Sequence, residues 1–193
     1  MLITLLLHVA LAVDPTPAVS SGLIRAAVAE AATVWAPYGV VVDTAGPFDC
    51  AHCAPCHQVD DDPTVLTVVA VERGRSAVTP GWGGPLGAIV FAPGGVPTPV
   101  ITVFFTDIVR FIAGAHVLGM PQWQWPPTVR EDILGRVLGR VLAHEIGHYV
   151  LRSPQHAPDG LMRSLQLAED LVAPSRHRFA LTAADAARLE NRR

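Results

Sequence analysis

The sequence predicts an α+β fold: a mixed, twisted sheet of about five strands, a crossover helix between the first two, a long helix late in the chain and a C-terminal helix. Three observations predict it. Short β-branched runs bounded by Pro and Gly recur through the first half, an Ala-rich run of helical period separates the first two of them, and a long amphipathic run with a 4-3-4-3 apolar spacing follows. The 193 residues suit one domain, 1–193, large enough to bury a core without staples. Half the residues are apolar and 16% are charged, which excludes a disordered chain.

The first strand is expected over residues 2–13, within "MLITLLLHVALAVDP", where Asp14-Pro15 ends it. The alternative is a secretory signal with Ala10–Ala12 as a cleavage-like end, but the positive n-region is missing. In "TPAVSSGLIRAAVAEAATVWAPYG" Leu23, Ala27, Ala31 and Val34 lie near helical spacing, and Pro37 and Gly39 close the helix. "VVVDT" follows as a short buried strand. A strand, a crossover helix and a second strand make a compact unit, and that unit requires residues 2–13 as its first member. "TVLTVVAVE" (64–72) is a further strand, and "LGAIVFA" (86–92) and "VITVFF" (100–105) are two more, joined by a Pro/Gly-rich loop, "PGGVPTP". "TDIVRFIAGAHVLGM" reads as a short helix running into a loop, and "PQWQWPPTV" as a rigid aromatic loop that is not helical. The long helix is expected over 128–152, stopped by Ser153-Pro154. After a loop of about thirty residues, "LTAADAARLE" begins with Thr182 as N-cap and Asp185 in the first turn.

Charge narrows the function classes. All 14 basic residues are Arg, they form no stripe, and the net charge is -3, so a nucleic-acid surface is excluded. No apolar run reaches the length of a membrane-spanning helix. A monomer is expected.

The chemistry concentrates in "HEIGHYVLRSPQHAPDGLMRS", which holds His144, His148 and His156. On the long helix Val137, Val141, His144, His148 and Leu151 share one face, so the two histidines continue an apolar stripe and point into the protein. One turn apart, their imidazoles can converge on one ion. Glu145 is rotated by about 100° from His144 and stands beside the pair as a general base. A catalytic zinc requires a third protein ligand and one open position for water. His156, just past the break at Ser153-Pro154, is the candidate; Asp159, Glu169 and His177 are its rivals. The bland alternative is a pair of hydrogen-bonded core histidines, but His, Glu, Gly and His together make a poor helix interior.

"HEIGHYVLRSPQH" followed by "GLM" resembles the zincin metallopeptidases, in their metzincin-like branch, and above all a set of uncharacterised bacterial zincin-like domains. The resemblance implies a Zn2+ site with His144, His148 and His156 as ligands, Glu145 as base and Met162 as the methionine of the turn beneath the metal. It implies a peptide or protein substrate, paired in extended form along a sheet edge near residues 86–92, with a specificity pocket shaped between Met162 and Thr182. The match covers about twenty residues, and the element order of the whole chain is compatible. Two departures stand out. Leu151 and Pro154 occupy the positions of the metzincin glycine and third ligand, and Met162 follows His156 by only six residues. The helix is therefore expected to run about half a turn further before the chain folds back.

A second cluster, "DCAHCAPCHQVDDD", contains Cys50, Cys53, Cys56 and His57. The plain reading is a loop disulfide with one thiol left over. Three thiols with His57 could instead hold a secondary, structural metal, and "CAPCH" matches a c-type haem attachment site. Asp60–Asp62 reads as a solvated loop. His8 and His116 have no partner visible in sequence, Trp123 and Trp125 read as packing or pocket-wall residues, and Tyr149 points off the histidine face. Three functions follow: a zinc endopeptidase, a zincin-fold zinc-binding protein that acts on no peptide bond, or a haem protein.

Overall fold

The computed structural model describes residues 7–13, 19–45, 64–70, 84–164 and 166–192. It is α+β, built on a five-stranded mixed sheet. The strands are β1 (Leu7–Val13), β2 (Val40–Thr44), β3 (Thr64–Ala70), β4 (Gly87–Ala92) and β5 (Val96–Val103), in the order β2-β1-β3-β5-β4. Neighbours run parallel except for β4, which lies antiparallel to β5 at the edge. Period-two alternation sets which side faces the core. Val9, Leu11, Val42, Leu66, Val68, Ile101 and Val103 are buried, whereas Val41, Val65 and Val100 are exposed.

The crossover helix α1 (Ser21–Trp35) starts where Ser20 accepts the Leu23 amide at 3.1 Å, and it turns into β2 through a 3-10 turn and Gly39 at φ 62°. It packs along α3 (Pro127–Val150), the long helix, which also lies on β4 and β5. Small residues let the two helices close up. A Cβ on Gly139 would stand 2.5 Å from the Ala27 carbonyl oxygen, and one on Gly135 would stand 2.6 Å from the Ala26 Cβ. The Trp35 indole donates to the Ala143 carbonyl at 3.0 Å and locks the register one residue before His144.

Several expectations need correction. β5 begins at Val96, inside the stretch read as a loop, so β4 and β5 form a hairpin around 93–95. Pro97 and Pro99 fit because β3 pairs with β5 only from Val100 onward, so their missing N–H groups cost no ladder bond there. The aromatic loop is not wholly non-helical: Gln122–Gln124 form one 3-10 turn, after a small hairpin of β6 (His116–Val117) and β7 (Met120–Pro121). Its Trp125 is buried and donates to the Met120 carbonyl at 2.9 Å, whereas Trp123 is exposed. Upstream, the short helix α2 spans Phe105–Phe111. The loop of about thirty residues contains α4 (Ala168–Val172) and a 3-10 turn at His177–Phe179. His8 is partnered across the sheet by Asp43 on β2, at 2.8 Å. The C-terminal helix α5 (Ala183–Glu190) begins as expected, with Thr182 accepting the Asp185 amide at 3.2 Å. Among the described residues, no helix is long and apolar enough to cross a membrane.

Candidate metal centre

The site is assembled on the last turns of α3 and the chain that folds back under it. His144, Glu145 and His148 sit where α3 crosses the edge of the sheet, so the 3.6-residue period aims both imidazoles the same way. The helix stops with a backbone pattern that also builds the site. Arg152 takes a left-handed conformation at φ 44°, its amide donates to Tyr149 O, and the Ser153 amide donates to His148 O, each at 3.1 Å. The reversal thus falls one residue beyond Leu151. It brings the Ser153 carbonyl onto the ring of His148, at 2.7 Å from Nδ1.

The segment after His156 closes the other side. The Ala157 amide donates to Met162 O at 2.8 Å, and the Leu161 amide donates to Ala180 O at 2.8 Å. This loop carries the Leu161 carbonyl to 2.8 Å from His144 Nδ1. Met162 is buried beneath the helix, where a Cβ on Gly147 would collide with its sulfur. The glycine between the two histidines is therefore the slot that the methionine fills.

Carbonyl oxygens only accept, so both Nδ1 atoms carry the proton and both Nε2 atoms are bare lone pairs. Those two Nε2 atoms face each other at 3.1 Å. His156 completes a triangle, its ring centroid 5.3 Å from that of His144 and 4.9 Å from that of His148. One ring nitrogen from each of the three lies within 4.8 Å of the others. Two acceptors so close repel unless an electrophile lies between them. A proton does not serve at neutral pH. Burial, offset in part by the Leu161 carbonyl, pushes His144 down to about 4, and burial also lowers His148. The donor set therefore fits a metal ion.

Glu145 lies beside this triangle, 5% exposed, and burial pushes its carboxyl up to about 7. It lines a cleft of about 420 Å³ with His144, His148, His156 and the edge strand β4 from Gly87 to Phe91. Of the rivals for the third ligand, Asp159, Glu169 and His177 do not join the cluster, and His177 Nδ1 instead meets Ser175 Oγ at 2.8 Å. Cys50, Cys53, Cys56 and His57, with Asp60–Asp62, lie outside the described residues.

Sequence reasoning missed three contributors. The Leu161 and Ser153 carbonyls orient the rings, and main-chain acceptors carry no signature in sequence. Arg140, one turn before His144, is fully buried and donates to Glu30 Oε1 at 2.9 Å and to the carbonyls of Asp170, Leu171 and Ser175. Its place on the buried stripe was a signal, since a charge there must be paired. No protein-family model, curated protein or solved structure matches the chain, so the chemistry of the site rests on its own residues and distances.

Proposed function

We propose that the chain is a zinc-dependent metallopeptidase of zincin, metzincin-like fold that hydrolyses bonds in a peptide or protein substrate. The observation that carries the reading is the pair of bare Nε2 atoms at 3.1 Å with His156 closing the triangle and Glu145 buried alongside. Three imidazoles with one position left open are the donor set of a catalytic rather than a structural zinc. Tetrahedral ligands at zinc–nitrogen distances stand about 3.3 Å apart, close to the 3.1 Å between the Nε2 atoms of His144 and His148.

Zinc held by His144, His148 and His156 would polarise the scissile carbonyl and make water a stronger nucleophile. The Leu161 and Ser153 carbonyls fix the ring tautomers that leave Nε2 free to ligate. Glu145 takes the proton of the attacking water and returns it to the leaving amine nitrogen. Its buried carboxyl is well suited: a nearby cation stabilises its ionised form, while the apolar wall keeps it basic enough to accept. Among the described residues β4 is the edge of the sheet and lines the cleft, so an extended peptide could add to it as a further strand. Arg163, Ser164, Gln166 and Leu171 also line the cleft.

Metal analysis joined to digestion of a proteome-derived peptide library tests this reading. Wild type and Glu145→Gln should each hold about one zinc per chain, only wild type should cleave, and His144→Ala should lose the metal. Cleavage undiminished in Glu145→Gln would refute the assignment of the base. Zinc bound by both proteins with no cleavage by either would leave a zinc-binding protein without peptidase activity.

A further inference from the structure

We infer that Gly87 is a positioning residue for Glu145: the bare backbone at the start of the edge strand is what lets the Glu145 carboxyl lie against β4 and line the cleft. A Cβ built on Gly87 would stand 2.8 Å from Glu145 Oε1, 2.9 Å from Glu145 Cγ and 3.0 Å from Val141 Cγ1. Contacts that short force something to move, and the surroundings decide what. The strand is pinned, because Gly87 is in register with Val103 of β5 and the Phe104 amide donates to Leu86 O at 2.9 Å. Val141 is buried in the core one turn before Glu145. The yielding group is the Glu145 side chain, whose rotation carries the carboxyl away from the cleft.

Glycine weakens a strand, and at buried strand positions it marks the close approach of another group. Here that group is a carboxyl, and the strand it touches is the one that would carry the substrate. No imidazole is among the nearest neighbours of the added carbon. A methyl at position 87 therefore displaces the base and spares the metal ligands. The catalytic half of this inference rests on the metallopeptidase reading, whereas the packing half does not.

The experiment is a double-mutant cycle of wild type, Gly87→Ala, Glu145→Ala and the double variant. It is read by thermal unfolding in chelator, by zinc content, and by kcat and KM on a peptide that the wild type cleaves. Gly87→Ala should lower the Tm by roughly 2–10 °C in the wild-type background, and the shift should be clearly smaller in Glu145→Ala, where only the 3.0 Å approach to Val141 Cγ1 remains. Zinc content should hold while kcat falls on the order of 10²-fold and KM changes by less than about 3-fold. An equal Tm loss in both backgrounds, or a Gly87→Ala kcat within about 3-fold of wild type, overturns the inference. Should Gly87→Ala fail to fold, recovery in the double variant supports the contact and failure of both refutes it. A wild type that cleaves no peptide refutes the hydrolase, and the Tm cycle still decides the role of Gly87.

Discussion

Burial raises Glu145 from 4.5 to about 7 and lowers His144 from 6.5 to about 4, so the two groups tilt the stability of the metal-free protein in opposite directions. For Glu145 the folded pKa is the higher one; its contribution is intact below 4.5 and is lost as pH rises through 7. For His144 the folded pKa is the lower one; its contribution is intact above 6.5 and is lost as pH falls toward 4, and His148 shifts the same way. The opposing slopes overlap between pH 4.5 and 6.5, and neither exceeds about 1.4 kcal/mol for each step of one in pH. Glu145→Gln removes one of them. Denaturant unfolding in chelator should show the variant losing stability on acidification more steeply than wild type, and exceeding it above pH 7. Identical pH profiles would mean that the carboxyl is not held neutral. A second residue-scale prediction concerns His156, the one exposed member of the triangle. If it ligates, His156→Ala should weaken zinc binding by orders of magnitude in a competition titration, while Asp159→Asn and His177→Ala stay near wild type. Full zinc occupancy in His156→Ala would remove it from the site.

Elements with a strong period were legible in the sequence, and those held by tertiary contacts were not. The spacing of Val137, Val141, His144 and His148 marks α3 and its inward face, and Thr182 marks the start of α5. By contrast, α4 is five residues long, too short for a period to emerge, and it is held from outside when Arg140 donates to the Asp170 and Leu171 carbonyls. The early start of β5 was hidden by Pro97 and Pro99, which are tolerated where, among the described residues, β5 pairs with β4 alone. The contact between α1 and α3 was half legible: Gly135 and Gly139 are visible as small residues four apart, but what they face is not. Gly139→Ala tests that contact. Ala is the better helix former by about 1 kcal/mol, so an open site would gain stability. The Ala27 carbonyl at 2.5 Å and Glu30 Cβ at 2.6 Å instead require the helices to separate, so a net loss of roughly 1–3 kcal/mol is expected in chemical unfolding. A stabilised Gly139→Ala would show that the helices do not meet this closely.

At the scale of the whole molecule, a buried cation ties α3, the helix of His144 and His148, to the crossover helix and to the segment around Leu171 that lines the cleft. The three histidines of the candidate centre could be read from one short stretch because they are local in sequence. This tie could not be, because Glu30, Arg140 and Asp170–Ser175 meet only in the fold. Arg140 is 1% exposed, packs its guanidinium 4.4 Å from the Phe179 ring centroid, and shares Glu30 with Arg176, whose Nη2 stands 2.6 Å from Oε2. The two arginines make unequal contributions. Arg176 is nearly half exposed, and water replaces it at little cost, so Arg176→Ala should lose no more than about 1 kcal/mol. Arg140→Met keeps the apolar stem but strips hydrogen bonds from three main-chain carbonyls and removes the buried partner of Glu30. The retained Arg176 compensates the carboxylate in part, so a loss of about 3 kcal/mol, the low end for breaking a buried pair, is expected. The loss should also be local before it is global. Hydrogen exchange should accelerate first at residues 166–181, the cleft wall that Arg140 holds, while amides in the middle of α3 stay protected until the whole fold opens. Equal and small effects for the two arginines would show that the wall stands without this tie, and uniform acceleration along the chain would show that the wall is not a separate unit.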